Sequence, residues 1–193
     1  MDEVAAKLLF PCKHAAAGCE QGLKITEKQE HEEDCEFRTE YCPTSSGCSW
    51  EGLLKQIPGH MIEYHKVHLY VHESDQVTVV WDLSGSELTR CSVHFSAGRY
   101  FMSWMEKMEC EEHPEYRVVV QMVGTREEAA KYRYELALKD GEKQSTWSSA
   151  PHSVFEPFSD AINEDDCLIF GAMFAERIIT DGKFRIDVKI TKK

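Results

Sequence analysis

"FPCKHAAAGCEQGLKITEKQEHEEDCEF", residues 10–37, places three cysteines and two histidines in a short, charged segment with few apolar side chains. Four of these residues are the candidate ligands: Cys12, Cys19, His31 and Cys35. A segment of this size buries too little apolar surface to offset the conformational entropy that it loses on folding. Its fold therefore depends on a cross-link between these four side chains.

The same arrangement returns in "YCPTSSGCSWEGLLKQIPGHMIEYHK", residues 41–66, with Cys42, Cys48, His60 and His65. In both sets eleven residues separate the second cysteine from the histidine ligand that follows it. The first and second ligands are separated by six residues in the first set and five in the second, and the third and fourth ligands by three and four. Thiolates and imidazoles in sets of four are the usual ligands of closed, tetrahedral zinc sites. The sequence therefore predicts two structural Zn²⁺ ions, and four protein ligands leave no open position for catalysis.

The residues around the ligands agree with this interpretation. Gly18 and Gly47 precede the second cysteine of each set, where a tight turn favours a residue that can adopt positive φ. The stretch "TEKQEHEEDC" predicts a short helix with Thr26 as its N-cap and with His31 and Cys35 on one face. In the second set the last histidine comes five residues after the first. It is therefore predicted to lie past the end of its helix.

Competing explanations of the cysteines fit less well. A secreted disulfide framework does not need histidines at matching positions, and unrelated buried thiols do not produce two aligned sets. The common DNA-reading finger has roughly two to four residues between its cysteines and a basic recognition helix. This chain carries 22 basic and 34 acidic residues, a net charge of −12, so a phosphate backbone would repel it and we predict no nucleic-acid partner. The first predicted helix carries five acidic residues, Glu27, Glu30, Glu32, Glu33 and Asp34.

The chain shows no sequence signal for a membrane. No apolar run approaches the roughly 20 residues that a membrane-spanning helix needs. The first ten residues lack the apolar core and the cleavage site of a secretory signal. We therefore predict a soluble protein without a membrane partner, located in the cytoplasm, with the nucleus as an alternative.

From residue 67 onward, short alternating apolar stretches are broken by turn residues. "QVTVVWDL" and "FRIDVKI" alternate with period two, and the Asp-Gly pair at Asp140 is a strong hairpin signal. Thr125 precedes Glu128 by three residues, a capping box that predicts one short helix. The stretch from Phe174 is interpreted as a further strand. Roughly seven to nine short strands predict a mainly β protein, in which two small zinc fingers precede an antiparallel β-sandwich with one short helix.

Several longer motifs carry a family resemblance: "LFPCKHAAAGCE", "TEKQEHEEDCEFR", "YCP", "VQMVGTREEA", "TWSSAP" and "DCLIF". Together they resemble the seven in absentia (Siah/Sina) family of ubiquitin ligases. Members of that family have an N-terminal RING that recruits a ubiquitin-conjugating enzyme, two zinc fingers, and a TRAF-like β-sandwich that binds substrates and dimerises. The resemblance implies an N-terminal extension (1–9), zinc finger 1 (10–37), zinc finger 2 (38–66) and a TRAF-like substrate-binding and dimerisation domain (67–193).

The resemblance leaves two functional interpretations open. Every ligand-grade cysteine before Tyr70 belongs to a predicted zinc site, so we expect no RING in this chain and no ubiquitin transfer by the chain alone. The chain is then the substrate-recognition module of a RING-type ligase, which binds degron-bearing substrates for ubiquitination and proteasomal degradation. The alternative is a RING-less, non-catalytic adaptor or decoy with the same protein-binding surfaces. In both cases we expect a homodimer, and a ubiquitin-conjugating enzyme is a partner only where the native protein has a RING.

The resemblance also implies a peptide groove at an exposed strand edge of the sandwich. Degrons with a Val-x-Pro core add there as an extra strand, so that backbone pairing supplies affinity and alternate side chains fill pockets. Two positions where large apolar residues are expected hold Arg90 and Ser92, which puts the usual degron preference in question. The alignment places the groove at Leu69, Val71, Val79, Leu88, Arg90 and Ser92.

Overall fold

The computed structural model describes residues 8–44, 47–74, 76–83, 88–110 and 113–193. The predicted mainly β class is confirmed, because two small Cys/His-containing fingers precede a sandwich of two sheets. No helix in the described part of the chain is both long and apolar enough to span a membrane.

Each finger consists of a short antiparallel strand pair followed by a helix. In finger 1 the pair is joined through a 3₁₀ turn at Ala15–Ala17, and in finger 2 a 3₁₀ turn at Leu54–Gln56 leads directly into the helix. The helices contribute the third ligand of each set, so this repeated order explains the repeated spacing. The elements are β1 (Phe10–Pro11), β2 (Gly22–Leu23) and α1 (Ile25–Glu33) in finger 1, then β3 (Thr39–Tyr41), β4 (Glu51–Leu53) and α2 (Ile57–Glu63) in finger 2.

The sandwich has a larger and a smaller sheet. The larger sheet runs β12-β9-β8-β7-β5, with β13 also paired to β9, and the smaller sheet runs β11-β10-β14-β6. Two pairings are parallel, β5 with β7 and β12 with β9, so the larger sheet is mixed rather than purely antiparallel. The strands are β5 (Leu69–Val71), β6 (Gln76–Asp82), β7 (Thr89–Ser96), β8 (Arg99–Met108), β9 (Glu115–Met122), β10 (Tyr132–Asp140), β11 (Lys143–Ser149), β12 (His152–Ser153), β13 (Leu168–Gly171) and β14 (Lys183–Lys192).

The predicted capping box forms the helix α3 (Arg126–Ala129). The Thr125 side chain accepts a hydrogen bond from the Glu128 backbone N–H, and the Glu128 carboxylate accepts one from the Thr125 N–H. Two donors that a helix start would leave without partners are thereby satisfied. The sequence pattern alone therefore located this helix.

Two further short helices accompany the sandwich, α4 (Phe158–Asn163) and α5 (Ala172–Ile178). The interpretation of the stretch from Phe174 as a strand is wrong, because this residue lies within α5. Ala175 and Ile178 are the buried residues of that helix, and their spacing of three is helical rather than alternating. The short apolar run did not distinguish the two structures by itself.

Three hydrophobic clusters hold the molecule together. The cluster between the two sheets includes Phe101, Leu136 and Phe184, all fully buried. A second cluster lies on the outer face of the larger sheet, where finger 2 packs against β7, β8 and β9. The third is a small cluster confined to finger 1. Finger 2 therefore shares a core with the sandwich, whereas finger 1 does not.

Candidate metal centres and peptide-binding edge

The first predicted ligand set converges on one point. The ligand atoms of Cys12, Cys19, His31 and Cys35 all lie within 4.8 Å of one another. The Sγ atoms of Cys12 and Cys35 are 3.9 Å apart, and Cys19 Sγ lies 3.4 Å from His31 Nε2. Zinc–ligand bonds of about 2.3 Å to sulfur and about 2.0 Å to nitrogen give tetrahedron edges of about 3.8 Å and about 3.5 Å. Both measured distances therefore match the edges of a tetrahedral zinc site.

A tight turn and a helix end bring these ligands together. Gly18, before the second cysteine, has a φ of +118°, as its position predicted, and a Cβ there would lie 2.9 Å from the Phe37 ring. His31 lies in the last turn of α1, and Cys35 follows the C-cap residue. The prediction that Thr26 caps this helix is wrong, because α1 begins at Ile25. Strand β2 ends at Leu23 and leaves a single linking residue before the helix, so Thr26 falls inside the first turn.

Burial affects the protonation of this centre. Burial, with a smaller contribution from the neighbouring Cys19 and Cys12 thiols, raises the pKa of the Cys35 thiol to about 12, although a hydrogen bond from the Phe37 backbone opposes the rise. Because zinc binds the thiolate, a cation must offset this penalty before the ligand set can be deprotonated. The thiols are thus arranged for a bound cation and not for free thiolates.

The second set forms an equivalent centre with two imidazoles. Cys42 Sγ lies 3.1 Å from His65 Nε2, Cys48 Sγ lies 3.6 Å from His60 Nε2, and the two Nε2 atoms are 3.1 Å apart. Gly47 again has positive φ, +71°. His65 lies beyond the end of α2, as predicted. All four ligand atoms lie within 4.8 Å of one another, so this set also matches a tetrahedral site.

Two aromatic rings position one of these imidazoles. Trp50 stacks on His60 with ring centroids 4.3 Å apart, and Tyr64 stacks on the same imidazole at 5.4 Å. Burial, and then the nearby His65, lower the pKa of His60, so the neutral, ligating form is favoured. Sequence reasoning missed this stack, although the spacing of four between His60 and Tyr64 on a helix was a usable signal.

The predicted peptide groove falls along one side of the sandwich, where the edge strands β5 and β6 of the two sheets are neighbours. The Tyr70 hydroxyl joins them, since it accepts a hydrogen bond from the Val80 N–H at 3.0 Å and donates one to the Val80 carbonyl at 3.3 Å. The six predicted residues lie on the strands at this side or directly next to them. They are Leu69 and Val71 on β5, Val79 on β6, Leu88 just before β7, and Arg90 and Ser92 on β7.

Two of the six are buried beneath that side. Val79 is 0% exposed, because the alternation of β6 turns it toward the core between the sheets. Ser92 is 1% exposed, and its hydroxyl accepts a hydrogen bond from Trp81 Nε1 at 2.8 Å. Direct peptide contacts predicted for these two residues therefore do not fit the structure, because both lie beneath the surface. Val71 and Leu88, in contrast, are 56% and 48% exposed.

Sequence reasoning also missed a chain of polar side chains beneath β5. His72 Nε2 lies 3.1 Å from His94 Nδ1, and His94 Nε2 lies 2.7 Å from Ser103 Oγ. Tyr70 stacks over His94 at 5.7 Å. Burial, together with the neighbouring His72, lowers the pKa of His94 to about 3. In the sequence, these hydrogen-bonded side chains are indicated only by a histidine within the apolar pattern "SVHF".

Two family models match this chain. The Sina zinc finger model matches residues 3–79, which contain both Cys/His centres, and the Sina TRAF-like domain model matches residues 94–189 of the sandwich. The chain belongs to the Sina family. Both predicted domain types are thereby confirmed.

Named members of the Sina family align along almost the whole chain. The chain is 34% identical over 194 residues to "E3 ubiquitin-protein ligase sina" of Drosophila virilis and 33% identical to "E3 ubiquitin-protein ligase siah2" of Xenopus laevis. The human "E3 ubiquitin-protein ligase SIAH2" is also 33% identical. These alignments cover 99% of the chain, but only 60% to 62% of the relatives. The chain thus spans about three fifths of the length of these relatives.

In this Sina-family chain the two ligand sets hold structural zinc ions. Each set offers four soft or borderline donors at tetrahedral distances, which is the chemistry of zinc rather than of hard cations. When bound, the metal supplies the folding free energy that so small a unit lacks, of order 10 kcal/mol. The ligands of each set position the ion and leave no place for a substrate.

Proposed function

We propose that this chain is the substrate-recognition module of a RING-type ubiquitin-protein ligase, which selects proteins for ubiquitination and proteasomal degradation. The observation that supports the proposal most is the presence of both Sina domains in order, with both ligand sets complete. Relatives that align over 99% of the chain are named ubiquitin-protein ligases. On this proposal the fingers fix the position of the sandwich, and the sandwich binds the substrate.

The substrate segment proposed to bind is an extended degron peptide at the side of the sandwich formed by β5, β6 and β7. A sheet edge recognises such a segment through main-chain hydrogen bonds, and alternate peptide side chains then meet the surface on either side. Exposed Val71 and Leu88 offer apolar contacts there. Among the described residues, the short edge strand β5 leaves part of β7 uncovered, which gives a peptide room to pair.

Fluorescence polarisation tests this proposal directly. A labelled ten-residue peptide with a Val-x-Pro core should bind the zinc-loaded chain, and a peptide with alanine in place of both valine and proline should bind at least about tenfold more weakly. Leu88→Asp should reduce the affinity for the first peptide, whereas Met173→Asp, at a more exposed apolar residue on α5, should not. Equal binding of both peptides, or no binding, would contradict a degron-binding role.

The remaining expectations about partners stay predictions. These are the homodimer, the cytoplasmic location, the recruitment of a ubiquitin-conjugating enzyme and the adaptor or decoy alternative. Substrate ubiquitination by the native gene product separates a ligase from a decoy, because a decoy would bind the same peptide without promoting transfer.

A further inference from the structure

One half of strand β7 has an open edge. The Leu88 carbonyl accepts a hydrogen bond from the Lys107 N–H on the β8 side, whereas the Val93 N–H donates to the His68 carbonyl on the β5 side. Backbone groups alternate in direction along a strand, so the N–H and C=O of Cys91 face the β5 side. Among the described residues, strand pairing on that side is limited to 93–95. The Cys91 backbone groups are therefore available to a further strand.

A turn at the end of finger 2 creates this opening. Lys66 has a φ of +57°, in the left-handed region that is uncommon for residues other than glycine. The Val67 N–H donates to the Met61 carbonyl at 3.1 Å and closes the turn. The chain consequently joins the sheet only at Leu69, opposite Val93. The first half of β7 is left beside the wall of finger 2.

The opening contains a cleft of about 490 Å³, with His65 and Lys66 on one side and Thr89 to Cys91 on the other. Trp104 also lines this cleft and is 1% exposed. Its indole Nε1–H has no acceptor among the described residues. This donor is itself buried, so the cleft offers a ligand the Cys91 backbone groups and not the indole N–H.

The cleft is basic in an otherwise acidic protein. The described residues that line it include Lys66, Arg90 and two histidines, and none of them is aspartate or glutamate. The chain as a whole carries a net charge of −12. A local reversal of sign favours a ligand with carboxylate groups.

The neighbouring edge of β6 is occupied by side chains of the protein itself. The Tyr70 hydroxyl bonds both backbone groups of Val80, the Ser74 hydroxyl donates to the Gln76 carbonyl, and Arg90 Nε donates to the Asp82 carbonyl. A ligand strand that pairs with β6 would have to displace these hydrogen bonds. A ligand strand that pairs with the first half of β7 would leave them in place.

We propose that the cleft between finger 2 and the first half of β7 is a peptide-binding site, and that its ligand is an extended peptide with carboxylate side chains. The peptide pairs with the Cys91 N–H and C=O, and its acidic groups face Lys66 and Arg90. This inference rests on the proposed peptide-binding function and specifies both the strand and the ligand class.

Amide hydrogen exchange measured residue by residue by NMR tests the location. The probe is the Val-x-Pro peptide with aspartates on both flanks, added to the zinc-loaded chain. We expect exchange at the Cys91 amide to slow at least about tenfold on binding, and exchange at the Val80 amide to stay unchanged. Binding with protection at Thr78 and Val80 instead would overturn this site but leave the proposed function intact. No binding would overturn both.

A matched pair of charge reversals tests the ligand class. Lys66→Glu should weaken binding of the aspartate-flanked peptide about tenfold and should strengthen binding of a lysine-flanked peptide. Lys55→Glu alters the same charge on an exposed residue of finger 2 outside the cleft and should leave both affinities within about twofold. Zinc content confirms that each variant is folded. Equal effects of the two reversals would overturn the proposal.

Discussion

His31 is the single imidazole of the first ligand set, and its Nε2 lies 3.4 Å from Cys19 Sγ. The remaining three ligands of this set are cysteines. Removal of one of four ligands opens the coordination sphere, and a unit with a core of only a few residues then loses the metal that folds it. At the scale of single residues, zinc affinity and local folding are therefore one property.

We expect His31→Ala to lower the zinc content from about two ions per chain to about one, with finger 1 unfolded and the sandwich intact. Elemental analysis measures the content, and amide exchange locates the unfolded part. His113→Ala, at an exposed histidine outside both ligand sets, serves as the control and should retain both ions. Two ions bound to the His31 variant would contradict the assigned ligand set.

His94 sets a pH dependence of a different kind. Its ring is fully buried between Tyr70 and the polar partners His72 and Ser103. The folded-state pKa of about 3 lies below the roughly 6.5 of an unfolded histidine, so the unfolded chain binds one more proton between these values. The stability contributed by neutral His94 is thus complete above pH about 6.5 and is lost as the pH falls toward about 3.

We expect the free energy of unfolding of the sandwich to fall by up to about 1.4 kcal/mol per pH unit below pH about 6.5 because of this histidine. Zinc release also destabilises the chain in acid, so urea titrations of the native protein and of His94→Gln are compared at each pH. The difference between their slopes isolates His94. Parallel slopes would rule out a titrating, buried histidine in this window.

At the scale of elements, α2 connects a zinc centre to the sandwich. Ile57 and Met61 are 0% exposed on the face of this helix that packs against β7 and β8, while His60 on the same helix binds the metal. The helix thus has two roles that no single-residue pattern revealed. Its apolar residues belong to the sandwich core, and its imidazole belongs to the finger.

We expect Met61→Ala to reduce the free energy of unfolding by about 2–5 kcal/mol, because it leaves a cavity at the shared core. Glu63→Ala, an exposed position of the same helix, should change it by less than about 0.5 kcal/mol. Urea unfolding followed by tryptophan fluorescence measures both, since Trp104 belongs to this core. A small effect of Met61→Ala would mean that finger 2 is loosely attached.

The accuracy of prediction also varied by element. The helix at Thr125 was predicted correctly because a capping box is a local exchange of hydrogen bonds between residues three apart. The N-cap at Thr26 and the strand at Phe174 were predicted wrongly, because a preceding strand end and a buried helical face decided those structures. Local structure was therefore predictable where the interacting residues are near in sequence, and not where they come from another element.

At the scale of the whole molecule, the two fingers are attached to the sandwich differently. Finger 1 meets it through polar contacts: the Asp34 carboxylate accepts a hydrogen bond from the Arg126 backbone N–H at 2.9 Å and lies 3.7 Å from the Arg126 guanidinium. Finger 2 contributes fully buried apolar side chains to a shared core. Exposed ion pairs contribute little to stability, whereas buried apolar area contributes much.

We therefore expect loss of the second metal centre to destabilise the sandwich more than loss of the first. Cys48→Ser should lower the main thermal transition by at least about 5 °C more than Cys19→Ser, the same substitution at the equivalent ligand of the other finger. Calorimetry measures the transition, and elemental analysis should find about one zinc ion per chain in both variants. Equal shifts would show that the two fingers are coupled alike.

The sequence by itself determined the two zinc centres, the mainly β class and the family. Ligand identity and spacing are local, and a tetrahedral ion accepts few arrangements of thiolates and imidazoles. Only the tertiary structure decided that finger 2 shares the sandwich core, that Val79 and Ser92 lie beneath the surface, and that half of β7 is left unpaired by the described part of the chain. These features depend on where the turn at Lys66 directs the chain and on side chains far apart in sequence, which no local pattern encodes.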